Sequence, residues 1–308
     1  MTSMKLPGLP DPGRCLVMGV VNVTPDSFSD GGAWFDPKRA IEHGLRLAEE
    51  GADLVDVGGE STRPGAQRVS LEEELRRVAP VVRELARQGV PVSVDTMRAE
   101  VADFAVEAGA RLVNDVSGGL ADPAMAELVA KTGVAYVLMH WRGHSHAMQN
   151  RAVYSDVGAE VREELVHRMD AMVDEGVDPG QIVLDPGLGF SKRPEQGHNW
   201  ALLAELESFT ALGRPVLIAG SRKTFLSRLL SDTADTPRPA AECDAATVAL
   251  TTLSAAHGAW CVRVHDVRPN ADAVRVAAAW SDGGARLDRG RTAAPAFTRR
   301  DGGVRGGR

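Results

Sequence analysis

Eight short apolar runs recur along the chain, and each stops at a residue able to face a substrate. They run from Leu16 to Val21 into Asn22, from Leu54 to Val57 into Gly58, and from Val90 to Val94 into Asp95. Leu112 and Val113 lead into Asn114, Val134 to Met139 into His140, and Ile182 to Leu184 into Asp185. The last two are Val216 to Ala219, before the stretch Gly220 to Lys223, and Cys261 to Val264, before His265. Helix-length amphipathic segments separate most of them. Continuous apolar runs suit parallel strands covered on both faces. Eight strand–helix units are the count for a (β/α)₈ barrel, the TIM barrel, whose active site forms where the strands end. The expectation is an α/β protein, one barrel domain with an enzyme site at the mouth.

The length of 308 residues accommodates one such domain, since these barrels run to about 250 residues. Residues 14–280 form the expected barrel, behind a flexible N-terminal segment at 1–13. Residues 281–308 are rich in Gly and Arg and poor in large apolar side chains, so a disordered tail is expected there. A formal net charge of −7 argues against general nucleic-acid binding, which usually leaves a basic footprint. No apolar run approaches the roughly 18 residues of a membrane span, and the N-terminus lacks the apolar core of a signal peptide. Of the three scattered cysteines, Cys15, Cys243 and Cys261, the first and last sit beside or within expected strands and read as buried reduced thiols, which suggests the cytoplasm.

Punctuation places several helices. Asp36-Pro37 and Asp122-Pro123 each offer an N-cap followed by Pro at the first helical position. Ser70-Leu71-Glu72-Glu73 reads as a capping box, with Glu73 reaching back to the cap amide. Leu71, Leu75, Val78, Val82 and Leu85 then fall on one helical face. Between Asp156 and Gly176, the residues Val157, Val161, Leu165, Met169, Met172 and Val173 form a similar stripe.

The polar ends of the runs carry the chemistry. After the first run, Asn22-Val23-Thr24-Pro25-Asp26-Ser27-Phe28-Ser29-Asp30-Gly31-Gly32 reads as a mobile loop over the mouth, or as a polar surface turn. After the second, Gly58-Gly59-Glu60-Ser61-Thr62-Arg63-Pro64-Gly65 joins close-approach glycines to anion-binding side chains, or is a turn whose Arg63 is solvated. Asp95, Asn114 and Asp185 are either helix caps or the recognition groups for a flat heterocycle with a donor-rich edge. Ser221-Arg222-Lys223 follows the seventh run, and Arg263 and His265 leave the same face of the eighth. Loops after strands seven and eight frequently bind phosphate in this fold. Acidic groups on one side and cations on the other either suit a polar ring with an anionic tail or form structural salt bridges. His140, His144 and His146 sit in a loop-like stretch without a Cys pair, so zinc is not expected there.

Taken together, these segments resemble the dihydropteroate synthase family. Val21 to Gly32 is similar to its first signature and Asp56 to Gly65 to its second. Ser93 to Thr96, Asn114 to Gly119, Asp185 to Phe190, Ser221 to Lys223 and Arg263 to Asp266 follow in the family's order. His140-Trp141-Arg142 resembles the actinobacterial form. The resemblance covers Leu16 to Trp280. It implies a (β/α)₈ fold, a homodimer, and a cytoplasmic transferase of folate biosynthesis that is a target class of sulfonamides. The implied reaction joins 6-hydroxymethyl-7,8-dihydropterin diphosphate to p-aminobenzoate, giving dihydropteroate and pyrophosphate.

Residue roles follow from the same resemblance. Asn22 would meet Mg²⁺ on the diphosphate. Thr62, Asp95, Asn114, Asp185 and Lys223 would contact the pterin, and Arg263 and His265 would anchor the diphosphate. Phe190 and Thr224, with Thr62 and Pro64, would wall the aminobenzoate site, and Asp30 and Arg63 would close over it. Asp95, Asn22, Arg63 and Lys223 are the expected catalytic set. Two alternatives differ in kind. A pterin-binding methyltransferase domain would pass a methyl group to a corrinoid, and a non-catalytic homologue would bind pterin without turnover.

Overall fold

The computed structural model describes residues 5–24, 37–61, 68–144, 151–231, 233 and 236–283. Its strands are β1 (Leu16–Asn22), β2 (Leu54–Gly58), β3 (Val92–Asp95), β4 (Leu112–Asp115), β5 (Ala135–Met139), β6 (Ile182–Asp185), β7 (Leu217–Ile218) and β8 (Cys261–Val264). The helices among the described residues are α1 (Pro37–Glu49), α2 (Leu71–Arg87), α3 (Ala99–Glu107), α4 (Met125–Thr132), α5 (Val157–Asp174), α6 (His198–Ala204), α7 (Leu206–Thr210), α8 (Thr224–Leu229), α9 (Asp244–Ala256) and α10 (Val267–Ser281). The strands form one sheet in the order β6-β5-β4-β3-β2-β1-β8-β7, and every pairing is parallel. A parallel bridge between Leu184 and Val216 brings β6 to the foot of β7, so the sheet curls back on itself. This is the expected eight-stranded barrel.

Successive strand side chains point to opposite faces, and the two faces make two apolar layers. Val17, Val21, Val55, Val57, Val92 and Val94 belong to the outer layer, packed with helix residues such as Leu47, Val78, Val82 and Leu85. Leu16, Met18, Leu54, Leu112, Val183 and Cys261 belong to the inner one. Continuing two residues along the inner face, Leu54 is followed by Asp56, Leu112 by Asn114, Val183 by Asp185, and Cys261 by Arg263. The barrel interior therefore changes from an apolar floor to a polar upper layer within one pleat of each strand.

The helix punctuation holds in part. Ser70 accepts from the Glu73 amide at 3.2 Å, but the Glu73 carboxylate does not return to the cap. It binds Arg76 at 2.8 Å and Arg77 at 2.7 Å instead, because charge-assisted bonds are stronger than one to a neutral amide. Asp122 does not open α4, which starts at Met125. One of its oxygens closes a turn to the Ala124 amide at 3.1 Å, and the other caps the neighbouring α3 at the Ala99 amide, 2.8 Å away. Asp156 caps α5 by accepting the Ala159 amide, and Asp36 lies outside the described residues. In the N-terminal segment, Leu6 is buried in the inner layer with Leu9 beside it, which anchors residues expected to be flexible. The tail from residue 284 onward lies outside the described residues.

Candidate active site

The polar layer is organised around Asp56, which is fully buried on β2. Its carboxylate accepts from Ser93 Oγ at 2.6 Å, from Asn114 Nδ2 at 3.0 Å and from Arg263 Nε at 2.6 Å. The guanidinium of Arg263 also donates through Nη2 to Asp95 Oδ2 at 2.9 Å. Parallel register makes this network possible, since Asp56 pairs with Ser93 and Asp95 with Asn114 across neighbouring strands. With Nδ2 committed to Asp56, Asn114 has its carbonyl oxygen left as an acceptor. Asp185 closes the ring from β6, with Oδ1 accepting the Gly187 amide at 2.7 Å. Asp95, Asn114 and Asp185 are thus three buried groups rich in acceptors, and none of them caps a helix.

Burial dominates the electrostatics. It pushes Asp95 up to about 7 against the opposing pull of Arg263, and the neighbouring Asp56 adds to the rise. Asp185 is raised by burial as well, with Lys223 working against the shift. Desolvation lowers the Lys223 ammonium to about 8, and Asp185 partly restores it. Opposed shifts of an acid and a base in one cleft are more frequent at functional sites than elsewhere.

Two loops complete the mouth. After β6, Phe190 packs with Met97, Val116, Met139 and Trp141 in a small apolar cluster, and Lys223 Nζ stands 4.8 Å from the centre of its ring. Lys223 also donates to the Leu188 carbonyl. After β7, Ser221 Oγ lies 3.0 Å from His265 Nδ1, which joins the β7 and β8 loops. Among the described residues, Ser191 and Arg222 are the two non-glycines with positive φ, at 47° and 57°. Each adjoins a loop that carries a candidate site residue, and such backbone conformations concentrate at functional sites.

The structure therefore gathers Asp95, Asn114, Asp185, Lys223, Arg263, His265 and Phe190 at one end of the barrel. Asn22 ends β1 there, half-buried and in register with Gly58. Thr224 opens α8 and is exposed, the least enclosed of the expected wall residues. Asp30, Thr62, Arg63 and Pro64 lie outside the described residues. Of the three histidines weighed as ligands, His140 is buried between Lys192 Nζ at 3.0 Å and Glu164 at 2.9 Å, and His146 lies outside the described residues. Asp56 stands in the second signature without a role of its own, and Lys192 lies outside every motif. A carboxylate embedded in the second apolar run was the available signal for Asp56; nothing in the sequence marked Lys192.

The family profile of pterin binding enzymes matches residues 18–265. The dihydropteroate synthase of Mycobacterium leprae is 54% identical over 274 residues, 89% of this chain and 96% of that one. The dihydropteroate synthase of Xanthomonas albilineans, solved in complex with 7,8-dihydropteroate, superposes with a TM-score of 0.76 at 42% identity, over 88% of this chain and 94% of that one. The Yersinia pestis dihydropteroate synthase, solved with a sulfonamide drug complex, gives a TM-score of 0.82 at 39% identity, over 90% and 98%. The chain belongs to the pterin binding enzymes, in the branch that the dihydropteroate synthases form.

Proposed function

We infer that the chain is a transferase that joins 6-hydroxymethyl-7,8-dihydropterin diphosphate to p-aminobenzoate, releasing pyrophosphate and forming dihydropteroate. The observation that carries the residue roles is the inner polar layer. A reduced pterin has a donor edge, with ring N–H and amino groups, and a carbonyl that needs a donor. Asp185 accepts from the amino edge, Asn114 accepts through its carbonyl oxygen, and Lys223 donates to the ring carbonyl. Asp95 faces the other side of the ring. The methylene carbon loses its C–O bond, whose electrons leave with the diphosphate. Positive charge spreads into the electron-rich ring, where the Asp95 carboxylate stabilises it. The aniline nitrogen then supplies the electron pair of the new C–N bond and releases one proton. A neutral arylamine needs little general-base help, and the reading assigns no protein nucleophile.

Arg263 and His265 hold the diphosphate end. Arg263 spends Nε and Nη2 on Asp56 and Asp95, and its Nη1 is the donor for the anion. Thr62, Arg63, Pro64, Asp30 and Thr224 are assigned to the aminobenzoate side with Phe190, on the strength of the family resemblance.

Mg²⁺ fits the donor set as a partner of the diphosphate rather than of the protein alone. The described residues contain no group of three His, Cys, Asp or Glu side chains able to hold a metal ion, and Mg²⁺ commonly takes one or two protein ligands plus phosphates and water. Asn22 is the residue that would hold it, and the bound ion would neutralise charge on the departing oxygens.

A homodimer is part of the proposal. Leu253 of α9 and Val276 and Trp280 of α10 are exposed, Trp280 at 86%, and apolar surface of this kind marks association sites. Cytoplasmic residence fits three buried cysteines without a disulfide; among the described residues no helix is long and apolar enough to cross a membrane. Inhibition by sulfonamides, as arylamine mimics, follows from the same reading. The deciding assay is pyrophosphate release from the pterin diphosphate, with and without p-aminobenzoate and Mg²⁺. Release that depends on the arylamine supports the transferase; binding without turnover supports a non-catalytic homologue.

A further inference from the structure

The loop after β6 is held by side chains from four other places in the fold. Gly187 N donates to Asp185 Oδ1 at 2.7 Å, and Gly189 N donates to Asn199 Oδ1 at 2.7 Å. Lys223 takes the Leu188 carbonyl. Tyr154 Oη donates to the Ser191 carbonyl at 2.9 Å. The Phe190 carbonyl accepts from Lys192 Nζ at 3.0 Å. Lys192 has no exposed surface, which is rare for a lysine unless it is paired.

Its bracing is unusual. The ammonium also donates to His140 Nδ1 at 3.0 Å, and the opposite ring nitrogen, Nε2, lies 2.9 Å from Glu164. Burial beside Lys192 lowers His140 to about 4, so the ring is neutral near neutral pH. Its proton then sits on Nε2 toward Glu164, and Nδ1 is left to accept from Lys192. A relay of side chains from α5 through β5 thereby reaches the backbone of the residue whose ring stands at the mouth. Burial pulls Lys192 down to about 7; Asp185 and Glu164 oppose the shift, and Arg142 and Lys223 add to it. Burying an ammonium is costly, and a carbonyl in a loop is satisfied more cheaply by water. An expense of this kind at a loop backbone points to placement.

We propose that Lys192 is a positioning residue, which fixes the Phe190 ring against the arylamine by gripping the Phe190 carbonyl while braced on His140. The proposal rests on the reading of Phe190 as part of the aminobenzoate wall. It separates the substrates by degree: the pterin contacts Asp95 and Asn114 are held by strand partners and share no bond with this loop, while Asp185 and Lys223 hydrogen-bond to it at Gly187 and Leu188, ahead of the gripped residue.

Lys192→Met in the full chain keeps the aliphatic stem and removes the donor. The expected result is a rise of about ten-fold in KM for p-aminobenzoate, from the lost hydrogen bond, with KM for the pterin diphosphate changed less than about two-fold. Amide hydrogen exchange across Gly187 to Lys192 should speed up about ten-fold, while β2 and β3 stay protected. Tyr154→Phe removes the second grip on the same loop and leaves Lys192 in place; it should move both readouts the same way by about three-fold, and it serves where the Met variant fails to fold. Unchanged exchange in the loop, or an equal rise in KM for both substrates, overturns the proposal. Exchange reads the grip without turnover, so a wild-type protein that releases no pyrophosphate counts against the transferase reading alone.

Discussion

Arg263 and Asp95, 168 residues apart in the chain, are bonded at 2.9 Å inside the barrel, and the same guanidinium holds Asp56 at 2.6 Å. One cation thus offsets two buried carboxylates. Arg263→Gln should expose what that is worth. Removing the charged partner of a buried pair costs about 3–5 kcal/mol. Urea unfolding should show a loss of this order at pH 8 and a smaller loss near pH 5, where Asp95 is protonated and needs no counter-charge. Arg263→Lys should recover only part of the loss, because a point charge cannot serve both carboxylates in fork geometry. Equal destabilisation by Gln at both pH values would contradict the assignment.

The pH dependence of catalysis follows from Asp95. Burial holds its folded pKa at about 7, above the ordinary 3.8. If the carboxylate stabilises the developing cation, kcat should rise with pH through an ionisation near 7, with a falling limb above about 8 as Lys223 loses its charge. The stability consequence has the opposite sense. Between the unfolded and folded pKa values the folded state binds more protons, so the Asp95 contribution to stability is fully present below about pH 4 and is lost as pH rises through about 7. Asp95→Asn should remove the acid limb of the rate profile and flatten the stability slope between pH 5 and 7. Both can be read from one series of rate and unfolding measurements.

How far the site was legible depends on which residues announce themselves locally. Asp95, Asn114 and Asp185 end apolar runs, so a chain read as a barrel already places them at the mouth. Asp56 sits inside its run, and its importance lies in three partners brought by other strands: Ser93, Asn114 and Arg263. That information is in the register, not in the local pattern. Lys192 lies between Ser191 and Arg193 and reads as a solvated loop lysine; the fold buries it beside His140, which follows β5, and the Tyr154 ring. Glu73 shows the converse, a strong local capping signal overruled by Arg76 and Arg77 on the same helix.

Asp185→Asn should weaken pterin binding while leaving the fold intact. In the wild type, Oδ1 is held by the Gly187 amide, and an asparagine keeps that bond with its own carbonyl oxygen. Its amide nitrogen then occupies the position of the second carboxylate oxygen and presents a donor to a ring donor. The lost charged bond costs about 1.5–3 kcal/mol. Calorimetry with a pterin ligand should register a weakening of that order, with a Tm close to that of the wild type. Unchanged affinity would remove Asp185 from the pocket.

Magnesium should bind only in company with the diphosphate. Asn22 offers a single neutral amide oxygen, and the described residues hold no cluster of three metal-ligating side chains. A hard divalent cation that keeps most of its waters gains little from one such donor. Pyrophosphate supplies the missing charged oxygens, and the cations Arg263 and His265 gather it at the same end of the barrel. Titration of Mg²⁺ into the protein alone should therefore give no measurable heat in the micromolar range. The same titration with pyrophosphate present should show binding tighter than Mg²⁺ has for pyrophosphate in buffer. Asn22→Ala should reduce that enhancement and leave the affinity for a pterin without phosphate within about two-fold, because the lost contact lies outside the ring. Chelation should stop pyrophosphate release and spare pterin binding. Tight Mg²⁺ binding to the protein alone would place the metal in a site of the protein's own making and remove Asn22 from the diphosphate end.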